Sequence, residues 1–218
     1  MGDPARRLPP KRPHRGYSPS AGFDRPGGCS PGTIARLAVR RAGSPHFGKE
    51  KEGMTNQNST AKTAVVFFSG KGHTREIAQR LAGELGVEAE EIEPAEHYSD
   101  ADLNYTVDDC RANRESFDPQ ARPELAADIP DVSDCDIVYL GYPIWWGDAA
   151  APLRTFVESV DFAGKTVVPF CTSGGSSIKQ SVSTLSSLAR AGKWHKGIWF
   201  AAHSSGSSIA AKVKNAGL

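Results

Sequence analysis

From Met54 onward, short apolar runs alternate with stretches whose apolar residues recur three or four positions apart, the order expected of βαβ units closing into a parallel sheet. Val65-Val66-Phe67-Phe68 reads as a first buried strand. Ile77, Ala78, Leu81, Ala82 and Leu85 then share one helical face and Gly86 follows as a C-cap, which predicts a helix over 74–85. Residues 87–92 read as strand two. Residues 94–133 form a long polar crossover with helix-like composition over 101–115, broken by Asp118-Pro119 and Arg122-Pro123. Strand three is expected at 136–140, a helix from Pro152 through Val160, and strand four at 166–170. Pro169 cannot donate to an interior ladder, so either pairing stops there or a bulge absorbs it. Ile178, Val182, Leu185 and Leu188 mark the next helix, residues 197–201 a fifth strand, and Ile209 and Val213 a short final helix. The pattern predicts a small doubly wound α/β domain with five parallel strands.

Composition divides the chain in two. Before Met54 there are 11 basic and 4 acidic residues, a balance of +7; from Met54 on there are 15 and 21, a balance of −6. Residues 1–53 also hold 8 of the 15 prolines and 9 of the 22 glycines, with apolar residues scattered singly. No face can form there that offsets chain entropy, so residues 1–61 are expected to be a disordered basic leader and 62–218 the folded domain. A start placed too far upstream would explain the leader, with Met54 as the natural first residue; an Arg-rich transit peptide is the alternative. Leu8-Pro9-Pro10-Lys11-Arg12-Pro13 excludes the apolar core of a secretory signal. The arginines of the leader have no interleaved aromatics, so no nucleic-acid partner is expected. No apolar run approaches the roughly 20 residues of a spanning helix, so no membrane partner is expected either. The cysteines at 29, 110, 135 and 171 show no zinc-ligand spacing; they read as free thiols of a reducing, cytoplasmic compartment, and no metal is expected.

In a doubly wound sheet, ligands bind beyond the carboxyl ends of the strands. The connections after strands one, three and four are all unusual for plain connectors. Ser69-Gly70-Lys71-Gly72-His73-Thr74 runs straight into a helix and offers backbone N–H groups, hydroxyls and a lysine, the donors of a phosphate cradle. It fits neither GxxxxGK[ST] nor GxGxxG. Gly141-Tyr142-Pro143-Ile144-Trp145-Trp146-Gly147 places two adjacent tryptophans where a planar ligand or a subunit would cover them. Cys171-Thr172-Ser173-Gly174-Gly175-Ser176 offers amides and hydroxyls with room for close approach. Together the loops describe a phosphate at one end and a flat ring at the other.

The segments AVVFFSGKGHTREIA (64–78), ARPEL (121–125), YLGYPIWWG (139–147) and KTVVPFCTSGGS (165–176), in this order, resemble the flavodoxin-like family of FMN-binding proteins. The resemblance implies a three-layer sandwich with strand order 2-1-3-4-5, one non-covalent FMN, and Pro169 inside strand four. It also implies a phosphate loop of the form S-x-T-G-N-T over Ser69, Lys71, Gly72, His73 and Thr74, with Lys71 standing for the family's Thr and His73 for its Asn. Ring-contacting loops then fall on Pro143, Ile144, Trp145, Trp146 and Gly147 and on Thr172, Ser173, Gly174 and Gly175. A crossover that begins with a tyrosine falls at 98–114, without an assigned chemical role.

Flavin would carry the redox chemistry, with no catalytic side chain required. The expected function is electron transfer through FMN to a redox partner protein or a small quinone-like acceptor. An FMN-dependent NAD(P)H:quinone-type reductase is the alternative. A flavin-binding regulator is a further sub-reading, and from another class a flavin-free phosphate-ligand or protein-interaction module is also open. A hydrolase would use His203 or His73 as base for Ser69 or Ser176, but the sequence shows no carboxylate to orient either histidine. His73 reads as a phosphate or solvent contact, His97 and His195 as surface residues, and Cys171 and Cys135 as core thiols rather than redox centres.

Overall fold

The computed structural model describes residues 61–216. The expected leader over 1–61, except Ala61, and the start at Met54 lie outside the described residues. The elements run β1 (Thr63–Phe67), α1 (His73–Leu85), β2 (Ala89–Glu91), α2 (Arg111–Phe117), β3 (Ile137–Trp145) and β4 (Asp148–Ala149), then α3 (Pro152–Ser159), β5 (Thr166–Thr172), α4 (Lys179–Ala189), β6 (Lys193–Trp194), β7 (Ile198–Phe200) and α5 (Gly206–Asn215).

The main sheet is parallel, with β1 between β2 and β3 and β5 beyond β3. Both β6 and β7 pair with the outer edge of β5, at Thr166–Val167 and at Phe170–Thr172 respectively. The fifth strand position is therefore occupied by two short pieces, and the 2-1-3-4-5 order holds by position. Period-two alternation splits the strands between two cores. Val65, Phe67, Tyr139, Val168 and Phe170 pack with Ile77 and Leu81 of α1 and Ile209 of α5. Val66, Phe68, Val138, Leu140 and Tyr142 pack with Leu153 and Phe156 of α3 and Leu185 of α4. These are the three expected layers.

Pro169 sits inside β5, opposite Leu140. The Thr166 N–H donates to Asp136 on the β3 side (2.8 Å), whereas the Val167 carbonyl accepts from His195 on the other side (2.8 Å). Alternation then aims position 169 at the outer edge, into the gap between Trp194 and Ile198, where no donor is needed. Gly197, at φ 86°, turns the chain in that gap. Neither a bulge nor an end of pairing is required.

Three expectations change. Strand three continues through Trp145, so much of the supposed loop is strand. Strand two shrinks to Ala89–Glu91. Helix-like composition over 101–115 yields helix only from Arg111, because polar side chains close turns first. Asp102 accepts from the Ser99 N–H (2.9 Å) and hydroxyl (2.6 Å), and Asn104 from the Thr106 hydroxyl (2.6 Å). Those Ser99 bonds hold the Asp102 carboxyl below its ordinary pKa.

Candidate functional site

At the end of β1 the chain turns into α1 through Gly72, whose φ of 89° only glycine adopts without strain. The Gly72 N–H donates to Ser69 Oγ (3.0 Å) and its carbonyl accepts from the Glu76 N–H (3.0 Å), which closes the loop and caps the helix. The N–H groups of His73, Thr74 and Arg75 begin α1 and have no partner within the helix. Arg75 is engaged by Glu91 (2.6 Å), whereas Lys71 is exposed and makes no ion pair among the described residues. Thr74 is buried, its hydroxyl 2.8 Å from that of Thr172 at the end of β5.

The ring-side wall is a hairpin. Ile144 pairs with Ala149 and Trp145 with Asp148, leaving Trp146 and Gly147 as a two-residue turn at φ 50° and 88°. Positive φ at both positions is the type I′ geometry that right-twisted strands demand, normally met by Asn or Gly. Trp146 there carries a cost of about 1–2 kcal/mol, the kind of strain that accumulates at working sites. Its indole N–H donates to Asn113 Oδ1 (2.6 Å) and its ring tilts against Phe117 at 5.1 Å. Trp145 turns inward, edge-on to Phe68 (5.7 Å) and Tyr98 (5.3 Å). Tyr98 is braced in turn by the Arg111 guanidinium 4.1 Å over its ring and by a hydrogen bond to Glu115. Burial, reinforced by Glu115, pushes the Tyr98 hydroxyl well above the usual phenol range.

In the third loop, Ser173 Oγ accepts from the Trp199 indole (2.9 Å) and donates to the Ser176 carbonyl (2.8 Å). Lys212 lies 4.9 Å from the Trp199 ring centroid. Cys171, just below, is fully buried, and burial pushes its thiol up to about 12.

These pieces enclose one cavity of about 900 Å³. Ser69, Lys71, His73 and Thr74 line one end, Pro143 to Gly147 one wall, and Thr172, Ser173 and Gly174 another. Gly72 instead lines a second cavity of about 300 Å³ behind the loop, while Gly175 lines neither. The larger cavity has no carboxylate in its lining among the described residues. Sequence reasoning missed Leu103, Tyr105 and Asn113 from the crossover and Trp199 and Ala201 from the C-terminal side. The exposed aromatics Tyr105 and Trp199 were the available signal; Asn113 offered none. A carboxylate does stand near His203, with Glu76 Oε2 3.5 Å from Nδ1, contrary to expectation. No described hydrogen bond joins either histidine to Ser69 or Ser176, so no base and nucleophile are paired.

A family model described as Flavodoxin matches residues 62–216. A crystal structure of a candidate flavoprotein from Bacteroides uniformis is 36% identical, with 71% of this chain and 98% of that one covered and a TM-score of 0.67. A candidate flavoprotein from Bacteroides eggerthii is 33% identical, with 72% and 99% covered and a TM-score of 0.66. A flavoprotein from Lactobacillus acidophilus, solved in complex with FMN, is 26% identical over 64% of this chain and 92% of its own, with a TM-score of 0.49. No curated protein matches the chain.

Proposed function

The chain belongs to the flavodoxin family, and from that premise we propose that it holds one non-covalent FMN and passes electrons through it to a partner protein or a small quinone-like acceptor. The observation that carries this reading is the joining, in one cavity, of an unpaired helix N-terminus and an aromatic slot.

The residues present fit the cofactor at both ends. A phosphate dianion needs several donors and no competing carboxylate. The first-turn N–H groups of α1, Lys71, and the hydroxyl and imidazole of Ser69 and His73 supply the first condition, and the cavity lining meets the second. Gly72 shapes this loop without lining the cavity. A flat ring needs planar apolar walls with a few polar groups at its edge. Pro143, Ile144, Trp145, Trp146 and Gly147 form the wall, and Thr172, Ser173 and Gly174 bring amides and hydroxyls, with Gly175 shaping their turn.

FMN, when bound, supplies the electron transfer itself. The protein's part is to orient the ring, exclude water from its buried side and set the local field. The acidic balance of the domain favours a low potential for the group it holds. Among the described residues, Cys110, Cys135 and Cys171 are free thiols, in keeping with a reducing, cytoplasmic compartment. No helix among the described residues is long and apolar enough to cross a membrane.

The test is a visible spectrum of the full chain before and after addition of FMN and desalting. A flavin band that co-elutes stoichiometrically and bleaches on anaerobic reduction is the expected result. Steady NADPH turnover with a quinone would replace the carrier with a reductase. A folded, permanently colourless protein would move the flavin-free interaction module to first place.

A further inference from the structure

Asn113 is almost fully buried, at 2% exposure, beside buried Ala112 on a short helix whose Arg114 and Phe117 face solvent. Its amide nitrogen donates twice, to the carbonyls of Tyr105 (3.1 Å) and Val107 (2.9 Å). Its oxygen accepts from the Trp146 indole at 2.6 Å. One side chain thus ties the crossover turn to the tip of the β3–β4 hairpin. The indole it holds is 57% exposed and stands on a left-handed backbone, conditions under which an unrestrained ring would sample several rotamers. Phe117 offers that ring a tilted neighbour but no directional bond.

We propose that Asn113 is the positioning residue for Trp146: its amide latches the indole as a fixed wall of the ring site and couples order in the crossover turn to closure of that site. The coupling rests on the FMN reading above; the latch does not. Holding an aromatic wall in place before the ligand arrives removes an ordering cost from binding. Asn suits the task because its amide can donate to two carbonyls and still accept from an indole N–H. Leucine matches its shape and can do neither. Aspartate keeps the acceptor and loses both donors.

The experiment uses the full chain, ¹⁵N-labelled, with Asn113→Leu, Asn113→Asp, Trp146→Phe and the Asn113→Leu/Trp146→Phe pair. Without any flavin, the Trp146 indole N–H signal, assigned by its loss in Trp146→Phe, should exchange slowly with solvent although the ring is exposed. Its exchange should speed at least tenfold in Asn113→Leu and stay slow in Asn113→Asp. Titrations with FMN and with riboflavin should then show both dissociation constants raised about tenfold by Asn113→Leu and by a smaller factor by Asn113→Asp, which keeps the acceptor for the indole and leaves the two crossover carbonyls without a donor. The double variant should be no weaker than the weaker single one, because Asn113 acts through the indole. Fast exchange in the wild-type chain, or additive effects of the two substitutions, overturns the proposal. A wild-type chain that takes up no flavin overturns the FMN reading and the coupling, while the indole exchange still reports the latch by itself.

Discussion

Thr74 and Thr172, 98 positions apart in sequence, share one buried hydrogen bond, their hydroxyl oxygens 2.8 Å apart. It joins the first turn of α1 to the last residue of β5, and so fixes the distance between the phosphate end and one wall of the cavity. Thr172→Val keeps the shape but leaves the Thr74 hydroxyl without its partner. Urea unfolding should show a loss of about 1–2 kcal/mol for either single valine variant. The double valine variant should lose less than the two singles combined, because no buried polar group is then left alone.

Gly141 faces Phe170 across the β3–β5 register, and a Cβ on Gly141 would lie 2.2 Å from the Phe170 ring. Gly141→Ala should cost about 3 kcal/mol or more, read as a lowered thermal midpoint. Adding Phe170→Leu should restore part of it. A wild-type midpoint in Gly141→Ala would show that the ring does not lie over the glycine.

Lys71 is exposed at the start of a loop without an acidic neighbour in the cavity lining. Lys71→Ala should weaken FMN roughly tenfold, the loss of one charge-assisted contact of about 1.5 kcal/mol, and leave riboflavin unchanged. Equal weakening of both ligands would move the lysine away from the phosphate.

Cys171 links stability to alkaline pH. Burial raises its pKa from 9.0 to about 12. Above pH 9 the unfolded thiol loses its proton while the folded one keeps it, so the unfolded state binds fewer protons and stability falls as pH rises. Unfolding free energies from urea titrations between pH 9 and 11 should decline less steeply in Cys171→Ala, the difference approaching about 1.4 kcal/mol per pH unit at the upper end. Equal slopes would place the thiol in contact with water.

The sequence patterns that survived best are those where one residue type has one physical use. Ile77, Leu81 and Gly86 placed α1 within a residue, since helical periodicity and a left-handed cap leave little choice. The loops after strands one, three and four did converge on one cavity, and the readable signals were a donor-rich turn running straight into a helix and two adjacent tryptophans, which a plain connector does not need. The length of β3 was not legible: Gly141 and Pro143 read as loop residues, yet Gly141 is required by Phe170 and Pro143 still pairs with Thr172. Position 169 needed the break at Gly197, which is visible only once β5 has neighbours. Asn113 was hidden for the same reason. An asparagine between Ala112 and Arg114 carries no sign that an indole 33 residues away will seek its oxygen.

The divided fifth strand also governs what the sheet can join. Among the described residues, one edge of the sheet ends in pieces of two and three residues, interrupted opposite a proline, and the other in a three-residue strand. Aggregation by edge pairing needs a longer straight run of free backbone groups than either edge presents. The broken outer strand therefore acts as a stop on strand addition, and it keeps a protein with an open, aromatic-rimmed cavity from recruiting further chains through its backbone.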